Sequence, residues 1–490
     1  MPAVSPNRAG LTLAALSLLA LALPACIEKL EAGERAAPEM TDQSGAGQPL
    51  APEDEGEPDP EPEHERLKSL GYVGATEVSA ADRFKLGLVH VDPARWAGGW
   101  SIFTSTRWGP GFRGAKKVLP QRKALLVDEF GDIVHAWRDP RKHEEDVGDS
   151  RSMNRERDWA NMRMDEAGNV VAVDALARLV KVSWDSELLW SAEGRYHHDL
   201  ARDDDGTIWA LRSEPREMER EGAPLHVWDT RLVAISPETG EELRTISLWD
   251  AIHEAPEFQA PLANYFTKNA DEELEASDLH EEQTAHRTFD ALHANTVKLA
   301  RVGNGLWKPG DLLASFRSLD MVAVIGRDDG RLRWAYGYGE LDGPHSPIQT
   351  ADGRVVVFDN GLRERRRSRV VAIEPESRAL TVLYEGDDDN PFFSSIRGQV
   401  QELAGGHLLV VESQRGRAFE LTPAREIVWE YFSPDTFFKR TKAKPTADGK
   451  PGKRGKKLMR VPFRVVRLNA AEQSAAERLL GRSATPRPAS

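Results

Sequence analysis

The chain has 490 residues, 40% of them hydrophobic, with thirteen tryptophans and a formal net charge of -14. Such a chain can bury a sizeable core, and its acidic balance argues against a polyanion-binding role, so nucleic acid is not an expected partner. Cys26 is the single cysteine, which leaves no disulfide within one chain.

The first element in chain order is an address. Arg8 precedes an apolar run from Leu11 to Ala25 that ends in Leu23-Pro24-Ala25-Cys26, too short to span a bilayer comfortably. Residues 1–25 read as a signal peptide, and the pattern resembles a bacterial lipoprotein signal. That resemblance implies lipidation of Cys26 and anchoring on the extracytoplasmic side of a bacterial membrane, periplasmic or at the cell surface. An ordinary secretory signal with an incidental Cys26 is the alternative. Residues 26–70 are rich in Glu, Asp and Pro, as in Glu53-Asp54-Glu55-Gly56-Glu57-Pro58. They bury too little apolar area to offset ordering entropy and read as a disordered acidic tether, followed by a connecting segment over 71–99.

From Trp100 onward the chain repeats itself. Gly168, Gly206, Gly353 and Gly406 each precede an apolar, mostly β-branched run, such as Val355-Val356-Val357-Phe358, and later strands end in tryptophan, as in Leu188-Leu189-Trp190 and Leu332-Arg333-Trp334. Glycine supplies the positive φ of a hairpin turn and the β-branched run suits a pleated sheet. Six copies start near Trp100, Trp159, His197, Leu292, Pro344 and Ser394. Repeats of roughly 40 to 50 residues with four short strands predict an all-β chain, a six-bladed β-propeller over 100–470, although the count alone also leaves five or seven blades open. Two insertions are expected to be loops, an acidic one from His253 to Asp290 and a basic one from Lys439 to Lys457. The alternating segment Val461 to Leu468 is expected to close the ring by pairing with the first or last blade, leaving residues 471–490 as a tail.

Three histidines stand at what the repeat makes one position. His198 and His345 lie eight residues before Gly206 and Gly353, and His293 opens a similar segment with a longer turn closing at Gly310. Six residues beyond the turn glycines stand Asp174, Arg212, Asp359 and Glu412, and Arg317 is seven beyond Gly310. The first strand of each propeller blade lines the channel, so one mouth is expected to gather His198, His293 and His345 with Arg212, Arg317, Asn295 and Asn360. Nitrogen donors around one point suit a small oxyanion, and a free imidazole can act as nucleophile or base. Two other uses remain: a metal site, which a nearby arginine would oppose, and strand-capping in a binding propeller.

At these residues the chain resembles the bacterial arylsulfotransferases, which move a sulfuryl group between aryl sulfates and phenols without a nucleotide donor. The resemblance covers roughly Trp100 to Pro434. Its most specific pieces are Leu125 to Trp137, His197-His198-Asp199, His293-Ala294-Asn295, Ser315-Phe316-Arg317 and Gly343-Pro344-His345 with Phe358-Asp359-Asn360-Gly361. It implies a six-bladed propeller using an aryl sulfate and a phenol, with no cofactor and no metal. It further implies that His345 is transiently sulfated, that His293, Asn295 and Arg317 hold the sulfate, and that His198 is the remaining active-site histidine. His197, Arg212 and Asn360 are expected to bind substrate. Ser346 stands where many relatives have aspartate. A non-catalytic surface propeller that binds a ligand or protein partner is the other reading.

Overall fold

The computed structural model describes residues 76–105, 122–140, 159–220, 222–269, 288–363, 365–388, 390–434, 436–440, 456–460 and 463–482. The chain divides into two units, Met1–Glu57 and Pro58–Ser490, and all described residues belong to the second. The signal peptide, Cys26 and the tether lie outside them, as do 270–287 of the acidic insertion and 441–455 of the basic one.

Six antiparallel sheets form the blades of the propeller. Blade 2 runs through Trp159–Met164, Val170–Asp174, Arg178–Val182 and Leu188–Glu193, and blade 3 through Tyr196–Arg202, Ile208–Arg220, Ala223–Ile235 and Glu242–Ser247. Blade 4 comprises Ala294–Leu299, Leu312–Phe316, Met321–Ile325 and Leu332–Tyr336; blade 5 comprises His345–Gln349, Val355–Asp359, Arg369–Ile373 and Leu380–Glu385. Blade 6 is Gln399–Glu402, Leu408–Glu412, Arg417–Leu421 and Ile427–Phe432. The turn glycines Gly168, Gly206 and Gly353 have φ of 84°, 89° and 91°, a conformation that a Cβ would strain.

Blade 1 is assembled from both ends of the described chain. Ser101–Ser105, Arg122–Val127 and Ile133–Arg138 supply three strands, and Phe463–Arg467 pairs antiparallel with Ser101–Ser105 as the fourth, Val465 opposite Phe103. The expected closure therefore involves the first blade. It removes the open edge that an unpaired Ser101–Ser105 would present.

The apolar core is divided in the same way. One buried cluster lies between each pair of neighbouring blades, six in all, and the last of these joins Phe103, Val127 and Val465 to Leu409, Val411 and Trp429 across the closure. Trp137 and Trp159 fill the interface of blades 1 and 2, Trp190 that of 2 and 3, Trp209 that of 3 and 4, and Trp334 that of 4 and 5. Between blades 5 and 6 Phe358, Phe392 and Phe419 do this work.

Three stretches differ from expectation. Within 71–99, Gly87–Val91 adds a fifth strand to blade 6, and Thr76–Glu77 pairs with Lys456–Arg460, which flanks the basic insertion. Within the expected tail, α3 (Ala470–Leu479) is started by an Asn469/Glu472 capping box and buries Ala476 against blades 1 and 2. Finally, the acidic insertion follows α1 (Leu248–Ile252) and begins as a helix, α2 (Pro256–Lys268), with Phe258 packed edge-on against Phe316 at 5.2 Å. Pro256 at the first helical turn starts α2, a signal that charge content had masked.

Val465 is fully buried in the closing interface. Val465→Ala is expected to cost about 2 kcal/mol, and Val465→Asp considerably more because it buries an unpaired charge. Thermal unfolding of both variants measures this, and unchanged melting temperatures would contradict the closure.

Candidate functional site

The innermost strands bring the histidines to one end of the channel through bulges. The ladder of blade 3 is interrupted between His197 and Leu200, and that of blade 5 between His345 and Ile348. His198 (φ 56°) and Ser346 (φ 51°) adopt left-handed backbone there, and His293 (φ 39°) does so just before blade 4 begins. Strained non-glycine residues of this kind persist only where the surrounding ladder imposes them.

The bulges also reassign the repeat position. His197 is opposite Leu211 and His345 opposite Phe358, each partner five residues beyond its turn glycine. His197 is thus the register counterpart of His345, and Ser346 that of His198. Equal spacing to the turn concealed this, because the blade 3 bulge sets two residues against none and the blade 5 bulge sets two against one.

The His345 ring is held by its Nδ1. That atom lies 2.8 Å from Asn360 Oδ1 and 3.1 Å from the Gly343 carbonyl. Asn360 Nδ2 donates to the Ser394 and Arg397 carbonyls, both at 2.6 Å, which fixes the amide with its oxygen toward the histidine. Both neighbours of Nδ1 are acceptors, so Nδ1 carries the proton and Nε2 keeps its lone pair. Burial, with the Arg317 guanidinium next, holds this imidazole well below its ordinary value of 6.5. His345 is therefore neutral at physiological pH, and its Nε2 makes no hydrogen bond among the described residues.

Arg317 reaches the site because blade 4 breaks a pattern. In blades 2, 5 and 6 a carboxylate at the end of the second strand faces an arginine at the start of the third: Asp174 with Arg178, Asp359 with Arg369, Glu412 with Arg417, at 3.3, 2.8 and 3.7 Å. In blade 4 the pair is Phe316 with Met321, and Arg317 follows in a single 3-10 turn, Arg317–Leu319. Its backbone N–H donates to the His293 carbonyl at 3.3 Å. Its guanidinium makes no hydrogen bond or ion pair with a described residue, and its Nε is fully buried. Burial, then the Arg363 charge, lowers its pKa from the ordinary guanidinium value, yet it remains a cation.

His293 Nδ1 contacts Asp290 Oδ2 at 2.8 Å, and its backbone N–H donates to Asp290 Oδ1 at 3.2 Å. Its ring meets that of His198 edge-on at 5.5 Å, and His198 Nδ1 lies 2.8 Å from His197 Nδ1. Burial, then His197, keeps His198 well below 6.5 as well.

Asn295 and Asn360, expected to touch substrate, are completely buried. Asn295 donates to the Pro344 carbonyl at 3.0 Å and accepts from Thr296 Oγ1 at 2.9 Å, while that hydroxyl oxygen accepts from Ser346 N–H at 2.9 Å. Both amides support the segment that carries His345. Arg212 stands apart from the group: Glu214 and Glu242 each take it at 2.7 Å, beside the Tyr196 ring. Asp290 was missed, although its place three residues before His293 was a signal in the sequence. Thr296 had no such signal, since its role depends on two bulges meeting. Among the described residues no three potential ligands converge as a metal set.

The profile of the family described as Arylsulfotransferase (ASST) matches residues 164–433. The chain belongs to that family. Among curated proteins none matches it. Solved structures similar to it include a Bacteroides caccae protein of unknown function, 12% identical over 68% of this chain and 94% of that one with a TM-score of 0.40. The periplasmic gluconolactonase of Pseudomonas aeruginosa is 11% identical over 76% and 99%, TM-score 0.36, and virginiamycin B lyase from Staphylococcus aureus 12% over 64% and 85%, TM-score 0.33.

The backbone at Ser346 yields a prediction. Ser346→Gly relieves the left-handed strain but loses the hydroxyl bonds to the Val400 backbone and is expected to cost about 1–2 kcal/mol, whereas Ser346→Val loses the same bonds and also forces a β-branched residue into left-handed geometry, at about 1–3 kcal/mol more. Denaturant unfolding of the two variants distinguishes them.

Proposed function

We propose that this arylsulfotransferase-family protein moves a sulfuryl group from an aryl sulfate to a phenol through a sulfated His345. One observation carries the reading: among the described residues, a neutral, oriented imidazole offers an unengaged Nε2 beside an arginine that makes no ion pair. In the first half-reaction Nε2 attacks sulfur, the N–S bond forms and the S–O(aryl) bond breaks to release a phenolate. Nδ1–H, held by Asn360 Oδ1, carries the positive charge that develops on the ring. Arg317 stabilises the charge spread over the sulfuryl oxygens. In the second half-reaction an incoming phenol attacks sulfur, the N–S bond breaks, and the lone pair returns to Nε2.

The proton of the acceptor phenol has a receiver in His293. Asp290 accepts from Nδ1 and so orients the ring with Nε2 as base, the arrangement of a carboxylate-oriented histidine. His198, against the His293 ring, completes the wall. Donor departure before acceptor entry makes the kinetics ping-pong.

His345→Ala is expected to abolish both transfer and adduct, while Arg317→Ala keeps the nucleophile and loses about 10² to 10³ in rate. Mass spectrometry of the enzyme quenched with donor alone should show one acid-labile sulfuryl group on His345. Turnover without that adduct would refute the covalent route, and absence of transfer from any aryl sulfate would favour the binding propeller.

The pH dependence follows from the depressed pKa. Only neutral His345 attacks, so the burst of phenolate is lost as pH falls through a value below 6.5. Arg317 contributes to that depression, and Arg317→Ala should move the acid limb upward, as measured by pre-steady-state bursts across pH.

For location, the lipoprotein-like sequence ending at Cys26 supports anchoring to a bacterial membrane on its extracytoplasmic side. Cys26→Ser should shift the protein from the detergent phase to the aqueous phase, and equal partitioning of both forms would reject the anchor.

A further inference from the structure

The strand that closes the ring also carries a cation into the channel. Arg464 is only 6% exposed, and among the described residues its side chain makes no hydrogen bond and no ion pair. Its charge acts on His198, Lys298 and Arg163, and the last two also act on each other. Three mutually repelling cations from blades 1, 2 and 4 thus surround this part of the channel. Two carboxylates act among these three cations, Glu472 on Arg163 and Asp199 on both Arg163 and Lys298. Asp199 accepts from Lys298 Nζ at 2.6 Å, from the Leu200 N–H at 3.0 Å and from the Asn161 amide.

The space next to them is open. Arg163 and Lys298 line a cavity of about 650 Å³, which Val466 also lines; Val466 shares a strand face with Arg464. The cavity wall has acids too, and three of them have partners of their own. Glu166 pairs with Arg202 at 2.8 Å and Asp203 with Arg327 at 2.5 Å, while Glu472 caps α3 through the Asn469 N–H at 2.8 Å. Burying an uncompensated guanidinium is costly unless an anion joins it.

We infer that Arg464, Lys298 and Arg163 form a second anion site in the channel, separate from His345 and Arg317, that binds a carboxylate or similar small oxyanion. The anion is either free or the substituent of an aromatic ligand extending along the channel. The Arg464 and His345 charges both act on His198.

Calorimetry tests the site without any need for turnover. The full chain with Arg317→Met, which removes the cation beside His345, is titrated with inorganic sulfate, with 4-hydroxybenzoate and with phenol. Binding of an anion is expected, and adding Arg464→Met should weaken it about tenfold or more, with Arg464→Lys retaining most of the affinity. Arg464→Gln serves as a second neutral variant if the methionine protein does not fold. Hydroxybenzoate binding far more tightly than both sulfate and phenol identifies an aromatic ligand, and equal binding of sulfate and hydroxybenzoate identifies a free anion. No anion binding, or binding that neutral substitution of Arg464 leaves unchanged, overturns the inference whatever the outcome of the transfer assays.

Discussion

Pairing of Phe463–Arg467 with Ser101–Ser105 is the constraint on which the other features rest. A ring of antiparallel sheets has no edge only when it is shut, and here the last strand shuts it from inside the first blade. The two chain ends of the propeller are tied by a main-chain ladder and by the buried Val465. Closure also delivers Arg464 to the channel, so the site's charge and the ring's integrity depend on the same five residues.

Within the closed ring, regularity is the background and departures from it make the site. Three blades spend the end of the second strand on a cross-strand carboxylate and arginine. Blade 4 substitutes Phe316 and Met321, apolar and covered by α2, and so the next residue, Arg317, makes no ion pair among the described residues. The bulges do the same for the inner strands. Each turns the chain through left-handed geometry and aims an imidazole or a hydroxyl where a plain ladder would have sent it along the sheet.

Orientation of His345 illustrates how support is layered. Ser394 and Arg397 carbonyls fix Asn360, Asn360 and Gly343 fix Nδ1, and the lone pair is thereby directed from Nε2. On the other side Asn295, Ser315 and Thr296 anchor residues 344 and 346. The serine following His345 is bonded through its N–H to Thr296 and through its hydroxyl to the Val400 backbone at 3.2 and 3.3 Å. It joins blades 4, 5 and 6 rather than orienting the imidazole.

Periodicity in the sequence determined the blades, their turn glycines and the tryptophans between them, because strand alternation and left-handed turns are local requirements of one chain segment. Residue type likewise singled out His198, His293, His345 and Arg317. Only the tertiary structure decided that His197 rather than His198 shares the register of His345, that Asn295 and Asn360 support instead of facing the channel, and that Arg212 belongs to Glu214 and Glu242. Each of these depends on a bulge or on a partner from a distant segment. Counting along one strand cannot see a shift that arises between two, and a side chain's freedom is settled by which neighbours have already taken its hydrogen bonds.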